Sequence, residues 1–185
     1  MKPGLPLKSP TKLTTTRLDL IPLSQEQLTI YLEGNADQMR LVGHVSREIL
    51  SENLSRAIDM KIKKMSEMDP RDQAWITYWL MLHRKDKYGI GMLGFKGGPD
   101  YRGQVEIGYG IDPAYSGQGF TTEAASRLIQ WAFKDPLCLR IIAPGTRKDN
   151  PASNRVLEKL GMRVYQESED TLSWSLDRAD YSGLI

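Results

Sequence analysis

The stretch Ile111-Asp-Pro-Ala-Tyr-Ser-Gly-Gln-Gly-Phe-Thr-Thr-Glu-Ala124 passes from an apolar strand pattern, through a loop, into a helix pattern. Gly117 and Gly119 bracket Gln118 and lack Cβ atoms where backbone must approach a ligand closely. The N–H groups of the loop and of the first helical turn, Phe120, Thr121 and Thr122, then point outward without helical partners. They sit beside the positive end of the helix dipole. That arrangement suits an anion, and a pyrophosphate in particular. The plain alternative is a tight turn capped by Thr121 or Thr122. The third glycine of a dinucleotide fingerprint is missing, and no Gly-Lys-Ser/Thr follows as in a P-loop.

Two further sets of residues carry chemistry. Asn150 stands at a strand-to-helix junction, where its side chain can cap the helix or bond a ligand amide. Ser153, three residues on, shares that side of the first turn. Upstream, Glu106 lies in Val105-Glu-Ile-Gly-Tyr-Gly-Ile111, a strand leading into the glycine loop. A strand carboxylate there suits a general base, and its plain alternative is a solvent-facing Glu. Gly108 and Gly110 weaken an ordinary strand and suit a bulge or close ligand approach.

The elements that must position these residues follow from periodicity and punctuation. Leu13 to Leu23 alternates as a half-buried strand, and Ser24 with Gln27 forms a capping box opening a helix over 25–33. A longer helix runs over 51–68, striped by Leu54, Ile58, Ile62 and Met65 and stopped at Asp69-Pro70. Lys61, Lys63 and Lys64 read as its solvated face. Strands are expected over 74–83, 88–94 leading into Phe95, and 104–111, with a turn at Gly97–Asp100. A helix over 121–133 ends at Asp135-Pro136, followed by a strand over 138–144. Another helix, 152–160 with Val156, Leu157 and Leu160 inward, stops at Gly161. Strands over 162–167 and 171–176 form a hairpin around Ser168–Asp170. An antiparallel meander after two helices, then a strand–helix–strand–helix unit, predicts an α+β domain with a mixed sheet.

On these residues the chain resembles the GNAT N-acetyltransferase superfamily. The coenzyme A pyrophosphate loop of that family reads Arg/Gln-x-x-Gly-x-Gly/Ala. Gly117-Gln-Gly119 supplies the glycines, with Ala114 in place of the Arg or Gln. The ribosomal-protein N-terminal acetyltransferase (RimJ/RimL-type) branch departs similarly, reading about Tyr-x-Gly-x-Gly-Tyr-Ala-Thr-Glu-Ala, which Tyr115 to Ala124 follows. Asn150 to Met162 is similar to that branch's Asn-x-x-Ser-x-x-x-x-Glu-Lys-Leu-Gly-Phe, Glu106 to Tyr109 to its Glu-Ile-Gly-Tyr, and Thr15 to Leu20 to its opening Thr-x-Arg-Leu-x-Leu. The resemblance runs from about residue 12 to 176.

What the resemblance implies is a single GNAT domain over 12–178 behind a tail, 1–11. Its sheet would be mixed and mostly antiparallel, flanked by helices, with splayed strands forming a coenzyme A cleft. Acetyl-CoA would be the cosubstrate, held by Tyr109, Gly110, Ile111, Gly117, Gln118, Gly119, Phe120, Thr121, Thr122, Asn150 and Ser153, with no metal. A primary amine, of a protein N-terminus or a small molecule, would attack the thioester directly. Glu106 would take the ammonium proton, and Ser153 would protonate the leaving thiolate. A strand N–H near Tyr109–Ile111 would polarise the thioester carbonyl. Many family members place a Tyr seven residues after the Asn; here that position is Leu157.

Composition bounds the alternatives. A net charge of +2 from 25 basic and 23 acidic residues argues against nucleic acid as partner. One cysteine, Cys138, excludes an internal disulfide and fits the cytoplasm, where it reads as a core residue. With only His44 and His83 besides, both read as structural or surface residues, a Cys/His metal site is not expected. Trp75, Trp79, Trp131 and Trp174 read as core. The N-terminus reads as neither a signal peptide nor an anchor, and no apolar run reaches the roughly 20 residues of a membrane span. A homodimer is compatible with all of this. The rival readings are a catalytically silent acyl-CoA-binding or sensing domain of the same fold, and a phosphate-binding module unrelated to coenzyme A.

Overall fold

The Leu-Asp-Leu alternation of the first strand closes onto the core in the computed structural model, which describes residues 10–35, 44–70 and 72–182. Most of the expected tail, residues 1–9, lies outside the described residues. The first strand is broken in two. β1 (Leu13–Thr14) folds back on β2 (Leu18–Pro22) around Thr15, whose hydroxyl accepts the Leu18 N–H. Ser24 and Gln27 make both bonds of the capping box that starts α1 (Gln25–Leu32). His44 opens β3 (His44–Val45), a short strand that sequence periodicity is too brief to reveal.

Ser51 caps α2 (Glu52–Ser66) through the Leu54 N–H. Lys61 corrects the expectation of a solvated face. It is buried, and its ammonium donates to the Ile76 carbonyl and, at 2.5 Å, to the Phe95 carbonyl. Two carbonyls supply the partners that a buried charge requires. The expected strand over 74–83 starts late: Gln73–Trp75 is a turn of 3-10 helix that drives Trp75 into the core, and β4 covers Tyr78–His83.

β5 (Tyr88–Phe95), β6 (Gln104–Ile111), α3 (Phe120–Ala132), β7 (Arg140–Arg147), α4 (Pro151–Lys159), β8 (Arg163–Glu167) and β9 (Thr171–Asp177) complete the described elements. The strands form one sheet in the order β1-β2-β4-β5-β6-β7-β9-β8, with β3 alongside β5. Only β3–β5 and β6–β7 pair in parallel. This is the mixed, mostly antiparallel sheet expected, and it is open. Its two faces carry separate cores. α3 and α4 cover one, with all four tryptophans, Cys138 and Leu157 inside it. α1 and α2 cover the other, with Leu28, Tyr31, Ile58 and Met65 against Leu80 and Met92. Val156 is only partly buried at the margin of the first core, while Leu157 and Leu160 are inside it. Burial pushes the Cys138 thiol up to about 12, in keeping with a core residue.

Candidate active site

Strands β6 and β7 hydrogen-bond over three rungs only, Gln104–Arg140, Val105–Ile141 and Glu106–Ile142, and then part. β6 stays paired with β5 out to Ile111, while β7 bulges between Ala143 and Thr146 as it follows β9. Lys96 N–H bonds the Glu106 carbonyl and Asp112 N–H bonds the Ile90 carbonyl, so even-numbered residues of β6 aim their main-chain groups at β5. By the alternation of a strand, Tyr109 and Ile111 aim theirs into the gap, beyond the last rung with β7. The gap is therefore an edge awaiting an extended ligand.

Facing it is the start of α3. Gly119 occupies the N-cap position at φ +82°, and no side chain caps the first turn. This differs from the ordinary cap by Thr121 or Thr122 that the sequence allowed. Gly117, at φ +74°, has nothing within 4 Å of where a Cβ would stand. Left-handed φ at both positions lets the loop bend back over the helix, presenting N–H groups to the gap.

The result is a cleft of about 790 Å³ between the β6 edge, the glycine loop and α4. Tyr109, Gly110, Ile111, Gly117, Gly119 and Phe120 line it. Thr121, Thr122 and Ser153 complete the expected set along its wall. Gly110 contributes bare surface, since its own main-chain groups turn toward β5. Gln118 lies outside the lining; its side-chain amide donates to the Ala114 carbonyl at 3.1 Å and tightens the loop. Asn150 also lies outside the lining. Its Oδ1 accepts the Ser153 N–H at 3.0 Å, the helix-capping role, and its amide nitrogen has no partner among the described residues.

Glu106 stands on the other side of the sheet. Its neighbours Val105 and Ile107 point into the core beneath α3, so Glu106 points to the face that carries α1 and α2. It sits on the last rung before the strands part, half-buried, and its carboxylate pairs with the Lys96 ammonium. Next along the same face is Gly108, where a Cβ would meet nothing within 4 Å. The structure thus brings nine of the eleven expected cofactor residues together in one cleft, leaves Gln118 and Asn150 outside its lining, and sets Glu106 at the base of the split, opening the opposite way.

Several contributors escape sequence reasoning. Arg17 reaches over from the turn before β2. Its Nε donates to Glu123 Oε2 at 2.6 Å, its Nη1 to the Gln118 carbonyl at 3.0 Å, and its guanidinium lies 4.1 Å from the Phe120 ring centre. Glu123 also accepts from Thr15 and the Arg17 main chain. Partial burial alone would raise the Glu123 carboxyl, but these hydrogen bonds outweigh it and hold it below the usual carboxylate range. Tyr109 donates its hydroxyl to the Ser153 carbonyl at 3.2 Å, tying β6 to α4 across the cleft; burial pushes this phenol up to about 12. Buried Asn154 bonds the Arg147 and Asn150 carbonyls and accepts from the Trp174 indole. Arg155 and Lys159 add positive charge to the cleft wall without an acidic partner among the described residues. The signal for Arg17 lay in the Thr-x-Arg-Leu-x-Leu match, but nothing in one sequence says what the arginine touches.

A split mixed sheet with an uncapped helix N-terminus aimed at the gap is the arrangement expected of an acetyltransferase fold. The family comparison agrees. Residues 17–163 match the family model described as an acetyltransferase (GNAT) domain, and the chain belongs to that family. It is 37% identical over 97 residues, 52% of the chain, to the uncharacterized N-acetyltransferase YjdG of Bacillus subtilis strain 168, covering 56% of that protein. With the uncharacterized N-acetyltransferase p20 of Bacillus licheniformis it shares 28% identity, over 71% of the chain and 77% of that protein. The match thus spans little more than half the length of the first of these relatives. Among solved structures, a ribosomal-protein-S5-alanine acetyltransferase from Vibrio fischeri superposes with a TM-score of 0.64 at 17% identity, covering 94% of this chain and all of that one. RimL, a ribosomal L7/L12 alpha-N-protein acetyltransferase solved with coenzyme A, superposes at 0.63 and 14% identity, covering 90% and 97%. At those identities the likeness is one of fold.

Proposed function

We propose that this chain is an acetyl-CoA-dependent N-acetyltransferase that transfers acetyl directly to a primary amine, on a protein N-terminus or a small molecule. The observation that carries this reading is the parting of β6 and β7 after Glu106, opposite the uncapped first turn of α3. The pyrophosphate would lie on the N–H groups of the glycine loop and of Phe120 to Thr122. Arg155 and Lys159 would add charge to hold phosphate oxygens. The pantetheine arm would run as an extended strand along Tyr109 and Ile111 and bring the thioester to the base of the split. The Asn150 amide, unpartnered on its nitrogen, is available to its carbonyls.

With the cofactor filling the α3 side, the acceptor enters from the other face, where Glu106 lies beside the bare surface of Gly108. Glu106 takes the proton of the ammonium, directly or through water. The free amine attacks the thioester carbonyl carbon, the C–N bond forms, and the C–S bond breaks with its electron pair on sulfur. Ser153 supplies the proton to that sulfur, whose thiol has a pKa of about 8.5 by analogy with cysteine, and takes back, directly or through water, the second proton that the nitrogen sheds as it becomes an amide. Holding both reactants in place and polarising the carbonyl with a β6 N–H would provide most of the rate. The N-terminal amine of a protein is the acceptor class that the activities of the two ribosomal-protein acetyltransferases favour. A cytoplasmic setting fits the buried, reduced Cys138.

Thiol release from acetyl-CoA with a panel of primary amines tests the reaction and separates it from a silent acyl-CoA-binding domain. Glu106→Gln should lower turnover by about 10²- to 10⁴-fold at neutral pH with CoA affinity intact, and the deficit should shrink as pH rises. The Ser153→Ala deficit should not recover at high pH. Identical pH profiles for the two variants would refute the assignment of base and acid.

A further inference from the structure

Lys96 and Glu106 face each other across the β5–β6 ladder, one pair beyond Phe95 and Ile107, and the Lys96 N–H bonds the Glu106 carbonyl at 3.0 Å. Their side chains share the α1/α2 face and form an ion pair. The two ends of that pair are unequal. The Glu106 side chain is 26% exposed and fixed by the sheet, whereas the Lys96 side chain is 69% exposed on a flexible four-carbon stem. An exposed lysine pair of this kind holds its partner weakly. A second cation loosens it further. The Lys61 ammonium, bound at 2.5 Å to the carbonyl of the preceding residue, Phe95, is close enough that Lys96 contributes to lowering its pKa, after burial and Lys64. Beside the pair the surface is bare: Gly108 is two residues along β6 from Glu106, and a Cβ there would meet nothing.

A primary ammonium group has the same charge, geometry and donors as the head of a lysine. We infer that Lys96 is a positioning and specificity-determining residue: it holds the Glu106 carboxylate in the resting protein and yields it to the ammonium group of the acceptor. The inference rests on the acceptor side proposed above. Lys96 keeps the carboxylate extended toward the slot over Gly108 and shields it from other cations. It then swings into solvent when an acceptor amine takes its place. An uncharged nucleophile cannot displace it, so the site selects amines that arrive protonated and lose their proton only once seated. The lysine itself touches no reacting atom.

Ethylammonium chloride serves as the minimal probe, added to the protein saturated with CoA while the ε-ammonium resonance of Lys96 is followed by nitrogen-15 NMR. Lys96→Met assigns the resonance, and Glu106→Gln gives its position when the pair is absent. A three-heavy-atom ligand binds no tighter than about millimolar, so the titration runs well past that concentration. The expected result is a saturable shift toward the Glu106→Gln position, larger than sodium chloride gives at equal ionic strength and absent with ethanol. No shift, or one that salt reproduces, overturns the inference. Lys96→Met should also lower KM for the best amine acceptor by about 2- to 5-fold, the scale of an exposed ion pair, with kcat unchanged. An unchanged or raised KM overturns it too. Absence of exchange, with Glu106→Gln still impairing thiol release, removes the lysine's role alone. Exchange with unimpaired release removes the base role of Glu106 and leaves the lysine's.

Discussion

Arg17 and Glu123 lie 106 positions apart in sequence and meet at 2.6 Å, behind the glycine loop and outside the cleft it forms. Through the Gln118 carbonyl and the Phe120 ring, Arg17 holds the loop against the first strand pair without reaching the ligand's place. Arg17→Ala should therefore weaken CoA binding by roughly 5- to 20-fold, the scale of one or two partly exposed charge-assisted hydrogen bonds, with the acceptor KM unchanged. Isothermal titration with CoA checks the first part. An unaltered affinity in the folded variant would show that the loop holds its shape unaided.

The same pair predicts an acid response. The folded protein holds Glu123 below its usual range, so its stabilising contribution is complete above the unfolded carboxylate pKa of about 4.3. It is lost as pH falls through the lower, folded value. Melting curves of Glu123→Gln and the parent should lie apart at pH 7 and converge below about pH 4. Parallel curves across that range would contradict the hydrogen-bonded carboxylate.

Acceptor and cofactor sides should separate by mutation at Gly108. Its backbone needs no left-handed φ, and a Cβ there would stand more than 4 Å from any described residue. Gly108→Val should leave the melting temperature unchanged or slightly higher, since valine suits a strand better than glycine. It should raise acceptor KM at least tenfold and leave CoA affinity near that of the parent. If CoA affinity collapses instead, the acceptor does not lie over Gly108.

Cofactor binding itself should be visible as heat resistance. With CoA at about 100 times its dissociation constant, the linkage term of about 2.7 kcal/mol raises the melting temperature by about 5–10 °C. Gly117→Ala should blunt that rise. The variant suffers left-handed strain of roughly 1 kcal/mol, and its new methyl stands in open space on the loop that lines the cleft. An undiminished rise would move the anion site elsewhere.

The sequence carried the glycine loop, the Asn150 cap and the Glu106 strand because each is a local pattern, readable within about ten residues. Fold class followed from the order of elements. What it could not carry was contact. The aromatic and β-branched content that predicts a strand from Ala74 is overruled by Trp75, which turns inward to pack at 4.6 Å between ring centres against Trp131, on α3. Lys61 sits in a charged run that looks solvated, and only the fold shows the two carbonyls waiting for it. Arg17 and Lys96 were ordinary surface cations until β1–β2 met α3 and β5 paired with β6. The side of the sheet on which Glu106 opens likewise depends on where α3 lies.

The three rungs between β6 and β7 have a mechanical meaning as well. Within the sheet, strands β1 to β6 join the β7–β9 unit through that short seam, which the crossing of Tyr109 to Ser153 and the shared core beneath α3 and α4 reinforce. A ligand threaded along Tyr109 and Ile111 is then a stitch across a fault line, bonding to one half of the sheet along its edge and to the other through α4. Binding of CoA along that edge should therefore slow the exchange of amide hydrogens on both sides of the seam together, those of β7 included.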